Sequence, residues 1–276
     1  MSSSMIRPYL TIFTARFLML LQYRAAAFAG IVTQFWFGAI MVMVLAAFYA
    51  GGRGSPSITL TQAITYTWLG QAFLGLLPWN VDPEIVAMMR SGDVAYERLR
   101  PVDTYFHWFA RAMAWRMAAT LLRSVPLVAV TALLFPLLGL GDWSLRGPGS
   151  VEAVFLFVLS MIAVVVLSSA ITTLLNISVV SLLADQGINA ITNPLVVILS
   201  GMIIPLPLFP DWTHAVLFIQ PLAGLVDIPY RIYFGGLSGS AALAGIAVQT
   251  VWSLILIGLG RRLMTRTMSR VQVQGG

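Results

Sequence analysis

The chain contains no cysteine and no lysine. Without cysteine it can build neither a disulfide framework nor a thiolate metal centre, and cysteine usage says nothing about redox compartment. Without lysine the phosphate-loop pattern G-x-x-x-x-G-K-[ST] cannot be written, so nucleotide is not bound in that way. Only His107 and His214 supply imidazole, and H-E-x-x-H is absent, which argues against a membrane zinc protease. Gly236-Leu237-Ser238-Gly239 matches a short serine motif of intramembrane hydrolysis. No histidine follows His214 to act as its base, and a flexible loop is the simpler reading. Charge is scarce as well: 9% of residues are charged and 59% are hydrophobic, with a mean hydropathy of +0.88. Soluble domains carry about 25% charged residues, so this composition excludes one.

What remains is long apolar sequence. Windows free of Asp, Glu and Arg cover 25–52, 54–81, 124–141, 153–184, 186–210 and 232–260. Each is near or above the roughly 18 to 20 residues that cross a hydrocarbon core of about 30 Å. The expectation is an all-α membrane protein in a single domain, 1–276, with six spans at about 25–49, 59–77, 118–140, 153–183, 188–204 and 241–259. No acid or arginine interrupts the windows, so a proton or sodium site is poorly supported. The first window is too long for the apolar core of a cleaved signal, so it reads as a retained anchor.

All 16 basic residues are arginine, a choice that suits a high-GC coding sequence. The net charge of +6 does not require nucleic acid as a partner. With both termini cytoplasmic, 13 of the 16 arginines fall on the inner side, and only Arg53, Arg146 and Arg231 fall outside. This bias fixes the expected topology.

Residues 5–23 mix Arg7, Thr11, Thr14, Arg16 and Gln22 with bulky apolar groups. They fit a helix in the headgroup plane, the alternative being a cytoplasmic extension of the first span. GGRGSPS, at 51–57, reads as a short outer turn. Segment 82–103 holds eight of the chain's 26 charged side chains. Asp82 before Pro83 signals a helix start, and Gly92 its end. Asp93 is expected to cap a second short helix through Leu99, stopped by Pro101. From Asp103 a helix of about 55 Å to Leu140 would overrun the bilayer core, with Trp108 and Trp115 at the interface.

Arg111, Arg116 and Arg123 along that helix either snorkel to the inner interface or form an electropositive inner vestibule. Ser169, Thr172 and Asn176 lie on a polar side of window four, which either packs against a neighbouring helix or lines a translocation path. Prolines in IIPLPLFPDW (203–212) end the fifth span near Ile204. Residues 205–231 then read as a re-entrant or interfacial pair of short helices on the outer side.

An exposed, helical element of mixed charge has the character of a docking surface. Arg90-Ser91-Gly92-Asp93-Val94-Ala95-Tyr96-Glu97 with Leu99-Arg100-Pro101-Val102-Asp103, set among six spans, an N-terminal amphipathic helix and a proline-broken segment before the last span, resembles the type-2 ABC exporter permeases. The resemblance is to a subfamily of small permeases encoded in pairs beside a separate ATPase. It implies a non-enzymatic permease subunit of a bacterial inner membrane, paired with a second permease chain. No cofactor is expected in this chain, and ATP and Mg would be held by partner ABC-type ATPases. Segment 82–103 would be the coupling element, with Glu84, Arg90, Gly92, Asp93, Tyr96, Glu97 and Arg98 meeting the ATPase. The implied cargo is amphiphilic, lipid-linked or drug-like. The rival expectation is a secondary carrier or channel that needs no ATP.

Overall fold

The computed structural model describes residues 3–52 and 57–270, with only the backbone given for Ser3, Ser4, Met5, Arg24 and Ala26. Arg53 and most of the expected outer turn lie outside the described residues. Every regular element among the described residues is helical. In chain order they are α1 (Ser3–Leu20), α2 (Arg24–Ala50), α3 (Leu60–Ala72), α4 (Pro83–Ser91), α5 (Thr104–Ala129), α6 (Phe135–Leu137), α7 (Val151–Leu182), α8 (Asp185–Leu199), α9 (Asp211–Ile219), α10 (Asp227–Tyr233) and α11 (Gly239–Arg270). A π-helical turn at Val130–Leu134 joins α5 to α6.

Four helices are long and apolar enough to cross a bilayer: Ala27–Ala50, Thr104–Leu137, Val151–Leu182 and Gly239–Arg270. The chain is therefore membrane-embedded. The other two windows fold into shorter helices. With 13 and 15 residues, α3 and α8 rise roughly 20 Å each, less than the apolar core alone.

Helix α3 lies at the centre. Residues Ala63 to Gly70 are buried without a break, so neither face of α3 meets lipid. Its Thr59 cap is reciprocal: the hydroxyl accepts from the Gln62 amide, and Gln62 Oε1 accepts from the Thr59 amide. Trp68 is fully buried between Phe35 of α2 and Phe135 of α6, and its indole N–H donates to the Trp143 carbonyl at 2.8 Å. Lipid tails are as apolar as these side chains, so close packing and internal hydrogen bonds hold the helices together.

The π turn has a local cause. Pro136 has no amide to donate back, which frees backbone acceptors one turn earlier. The Thr131 carbonyl is taken up by the Leu145 amide at 3.1 Å, in the connection to α7.

Helices α7 and α11 run parallel. Glu152, in the first turn of α7, accepts from the Gly239 amide that begins α11 (3.0 Å), and Ser181 and Thr267 pair near the far ends (2.8 Å). The chain between them must return along the bundle, beginning with α8. At its start Asp185 meets Arg90 of α4 (3.0 Å), and just past its end Gly201 lies against Tyr66 of α3. The break comes at Ser200–Gly201 rather than near Ile204 as expected. Gly201 has φ +86°, and a Cβ there would sit 2.5 Å from the Tyr66 hydroxyl oxygen. This left-handed glycine stops the helix before the prolines do.

The region after it holds a pair of short helices, α9 and α10, with α10 largely buried. Gln220 Nε2 donates to the Leu199 carbonyl (2.7 Å), Gln249 Nε2 to the Gly224 carbonyl (2.7 Å) and Trp252 Nε1 to the Ile219 carbonyl (2.7 Å). These bonds dock the segment onto α8 and α11.

At the other end, α1 is a separate helix that turns at residues 21–23 before α2 and packs along α5. It is not a continuation of the first span.

Candidate functional site

Segment 82–103 folds around two stop signals. Asp82 is extended, and its carboxylate accepts from the Glu84 amide at 2.9 Å, with Pro83 in the first helical position. Gly92 closes α4 at φ +83°. The second element, Asp93–Leu99, is a 3₁₀ helix and not a capped α-helix. Asp93 is its first residue, and its carboxylate accepts the Ser91 hydroxyl (2.7 Å) instead of a helix amide.

The inner face of this segment is anchored. Ile85 and Val94 are buried in an apolar cluster with Tyr105 and Trp108 of α5, Ile177 and Val180 of α7, and Met264 and Met268 of α11. Glu97 turns inward. It is 3% exposed, and it accepts from Arg100 Nε (2.9 Å) and the Trp108 indole (3.1 Å), with His107 Nε2 at 3.3 Å. Of the expected docking residues, Glu97 is therefore internal. Glu84, Arg90, Gly92, Asp93, Tyr96 and Arg98 are exposed, and Leu99 beside them is 77% exposed.

Polar bonds tie the same segment, with Val81 just before it, to five other helices. The Asp82 amide donates to Asn176 Oδ1 of α7 (2.9 Å), and the Val81 amide to Asn189 Oδ1 of α8 (3.2 Å). Glu84 bridges Arg16 of α1 (2.5 Å) and Arg111 of α5 (2.7 Å), while Arg90 reaches Asp185 of α8. At the segment's other end the Asp103 amide donates to the Tyr9 hydroxyl of α1 (3.0 Å), and Arg261 of α11 holds the Asp103 carboxylate (3.0 Å). Exposed pairs of this kind contribute up to about 1 kcal/mol each. Their arrangement matters more than their sum, because the short helix cannot move without pulling on α1, α5, α7 and α8.

The three arginines expected to form a vestibule face different neighbours. Arg111 pairs with Glu84. Arg116 is 4% exposed and donates to the Leu77 carbonyl (2.8 Å), the Asn80 carbonyl (2.9 Å) and Thr172 Oγ1 (3.1 Å). Three charge-assisted bonds offset the desolvation of its guanidinium. Arg123 packs on α2, where a methyl group on Gly30 would lie 2.7 Å from its Cζ. The polar side of α7 also points into the chain. Ser169, Thr172 and Asn176 are all buried, and they engage the Val165 carbonyl, Arg116 and the Asp82 amide respectively.

Arg16, Asn189 and Asp185 complete the site and were not singled out by sequence. Arg16 carries no signal beyond its place in an amphipathic stretch, because its partner lies 68 positions away. Among the described residues no group of His, Asp and Glu could hold a metal ion. The chain matches no model of a known protein family, and no curated protein matches it.

Proposed function

We propose that the chain is the membrane-spanning permease subunit of an ATP-driven exporter of the type-2 ABC kind, with ATP hydrolysis supplied by a separate subunit. The observation that carries the reading is α4: a capped, exposed helix of mixed charge, bonded on its inner side to four helices of the bundle. A partner that displaced this helix would move the bundle. That is what coupling to a hydrolysing subunit requires, whereas a carrier driven by an ion gradient needs no such handle. Six crossings are part of the reading, with α3 and α8 as the two short ones, both termini inside and segment 205–231 on the outer side. The parallel course of α7 and α11, with α8 returning between them, supports that count.

A second permease chain, identical or paralogous, would complete the pathway, and the membrane is a bacterial inner membrane. An amphiphilic, lipid-linked or drug-like cargo suits a wall with so few ionisable groups.

The test is purification of the tagged chain from its own cells in mild detergent, with ATP hydrolysis measured on the eluate. An ATPase should accompany the wild type. Tyr96→Glu with Arg98→Glu should lower its recovery at least about tenfold while leaving membrane insertion intact, as expected when a contact centre is inverted. Wild-type eluates without ATP hydrolysis would refute the reading. So would transport by the purified chain alone under an ion gradient, which would install the carrier in its place.

A further inference from the structure

Between α1 and α5 lies an open pocket of about 310 Å³. Three guanidinium groups and an imidazole line it, those of Arg16, Arg100, Arg111 and His107, over an apolar floor that includes Ile12 and Met19. His107 is 5% exposed, and neither of its ring nitrogens makes a hydrogen bond. The Nε atoms of Arg16 and Arg111 are also buried without a partner, and these side chains are only 14% and 12% exposed. Buried polar groups are nearly always satisfied, so these nitrogens, three of them donors when the imidazole is neutral, leave donor capacity unspent just beneath the opening.

The carboxylates present leave that need unmet. Glu84 takes one Nη of each arginine, Asp82 stands 3.8 and 3.6 Å from them, and Glu97 is 3.3 Å from His107 Nε2 without hydrogen-bond geometry. Glu84 is the yielding member, because its side chain is 51% exposed. A phosphate offers more acceptor oxygens and more charge than a carboxylate. It matches the forked donors of two arginines, which recognise phosphate and carboxylate in the same bidentate manner. The pocket also lies along a helix with the amphipathic character of an interfacial segment, where phosphate headgroups are concentrated.

We propose that this pocket binds a phosphate group, which takes the Arg16 and Arg111 guanidinium groups from Glu84 and so releases the first turn of α4 from α1 and α5. The phosphate belongs to a phospholipid headgroup or arrives free, and the chemistry of the site is the same for both. The inference requires only that the chain is membrane-embedded, and it stands apart from the transport reading.

The test uses the full chain. In nanodiscs containing phosphatidic acid and phosphatidylcholine, native mass spectrometry reads which lipid is retained. In lipid-free detergent, calorimetric titration with inorganic phosphate reads the free ligand. The wild type should select phosphatidic acid, bind inorganic phosphate, or both. Arg16→Gln with Arg111→Gln should weaken that binding by about tenfold or more, the worth of one or two charge-assisted bonds. Glu84→Gln should strengthen it several-fold, because the competing carboxylate loses its charge. A merely structural role for Glu84 predicts no such gain, and this variant decides the matter if the double variant does not fold. Binding in the lipid arm alone names the headgroup as the source, and binding in the phosphate arm alone names the free ion. Absence of both, undiminished binding by the double variant, or weaker binding by Glu84→Gln would overturn the proposal.

Discussion

Asp227 opens α10 with its carboxylate fully buried, one oxygen 3.3 Å from Arg231 Nη1 and the other without a hydrogen-bond partner. Burial pushes its pKa from 3.8 up to about 7, against the opposing pull of Arg231. The folded chain therefore holds this proton more tightly than an unfolded carboxylate does. The stabilisation is complete below about pH 4 and is lost as the pH rises through about 7. Thermal unfolding in detergent from pH 4 to 8 should show wild-type stability falling relative to Asp227→Asn, by on the order of a few kcal/mol across the interval. Parallel curves for the two proteins would mean that Asp227 stays charged throughout. The same scale explains Asn176: a mid-helix amide is tolerated because it accepts the Asp82 amide at the start of α4, and its position on α7 alone could not disclose that.

Among the elements, α4 has the most sharply written ends. Both its caps were legible in the sequence, since Asp-Pro and Gly act through local sterics and local hydrogen bonds. The 3₁₀ character of Asp93–Leu99 was not. It follows from Glu97, Val94 and Ala95 being drawn inward to Trp108 and the apolar cluster beneath. Gly92→Ala should cost roughly 1 kcal/mol, because a Cβ disfavours the left-handed backbone there. Hydrogen exchange should register the change as faster opening of α4, with a smaller acceleration in the helices bonded to it. Equal acceleration in α7 or α11 would show that α4 is an integral part of the core.

For the whole molecule the decisive question is whether α8 crosses the bilayer. Ser91 ends α4 and Ser238 precedes α11, and both are exposed. Between them lie α5, α7 and α8. Three crossings put the two serines on opposite sides, whereas the two long helices alone would put them on the same side. Because the chain has no native cysteine, Ser91→Cys and Ser238→Cys would each carry a single thiol. An impermeant maleimide applied to intact cells should label position 238, and label position 91 only after lysis. Labelling of both from one side would exclude α8 as a crossing.

Composition and the spacing of charge were enough to determine a membrane-embedded, all-helical chain, the capped α4 and the short helices before α11, because each depends on hydropathy or on local backbone rules, whereas the separation of α1 from the first span was settled only by the turn at 21–23. The tertiary structure alone decided what the polar groups are for. Arg16 and Glu84, Arg90 and Asp185, Asn176 and Asp82, and Arg116 and the Leu77 carbonyl are pairs far apart in the chain. Such pairs form only once helices are laid side by side, and in an apolar interior a polar group takes whichever partner the packing delivers. Ser169, Thr172 and Asn176, which the sequence left as either a packing face or the wall of a path, are buried in the chain for that reason, and the clustering of unpartnered nitrogens beside the pocket between α1 and α5 is likewise a product of the packing.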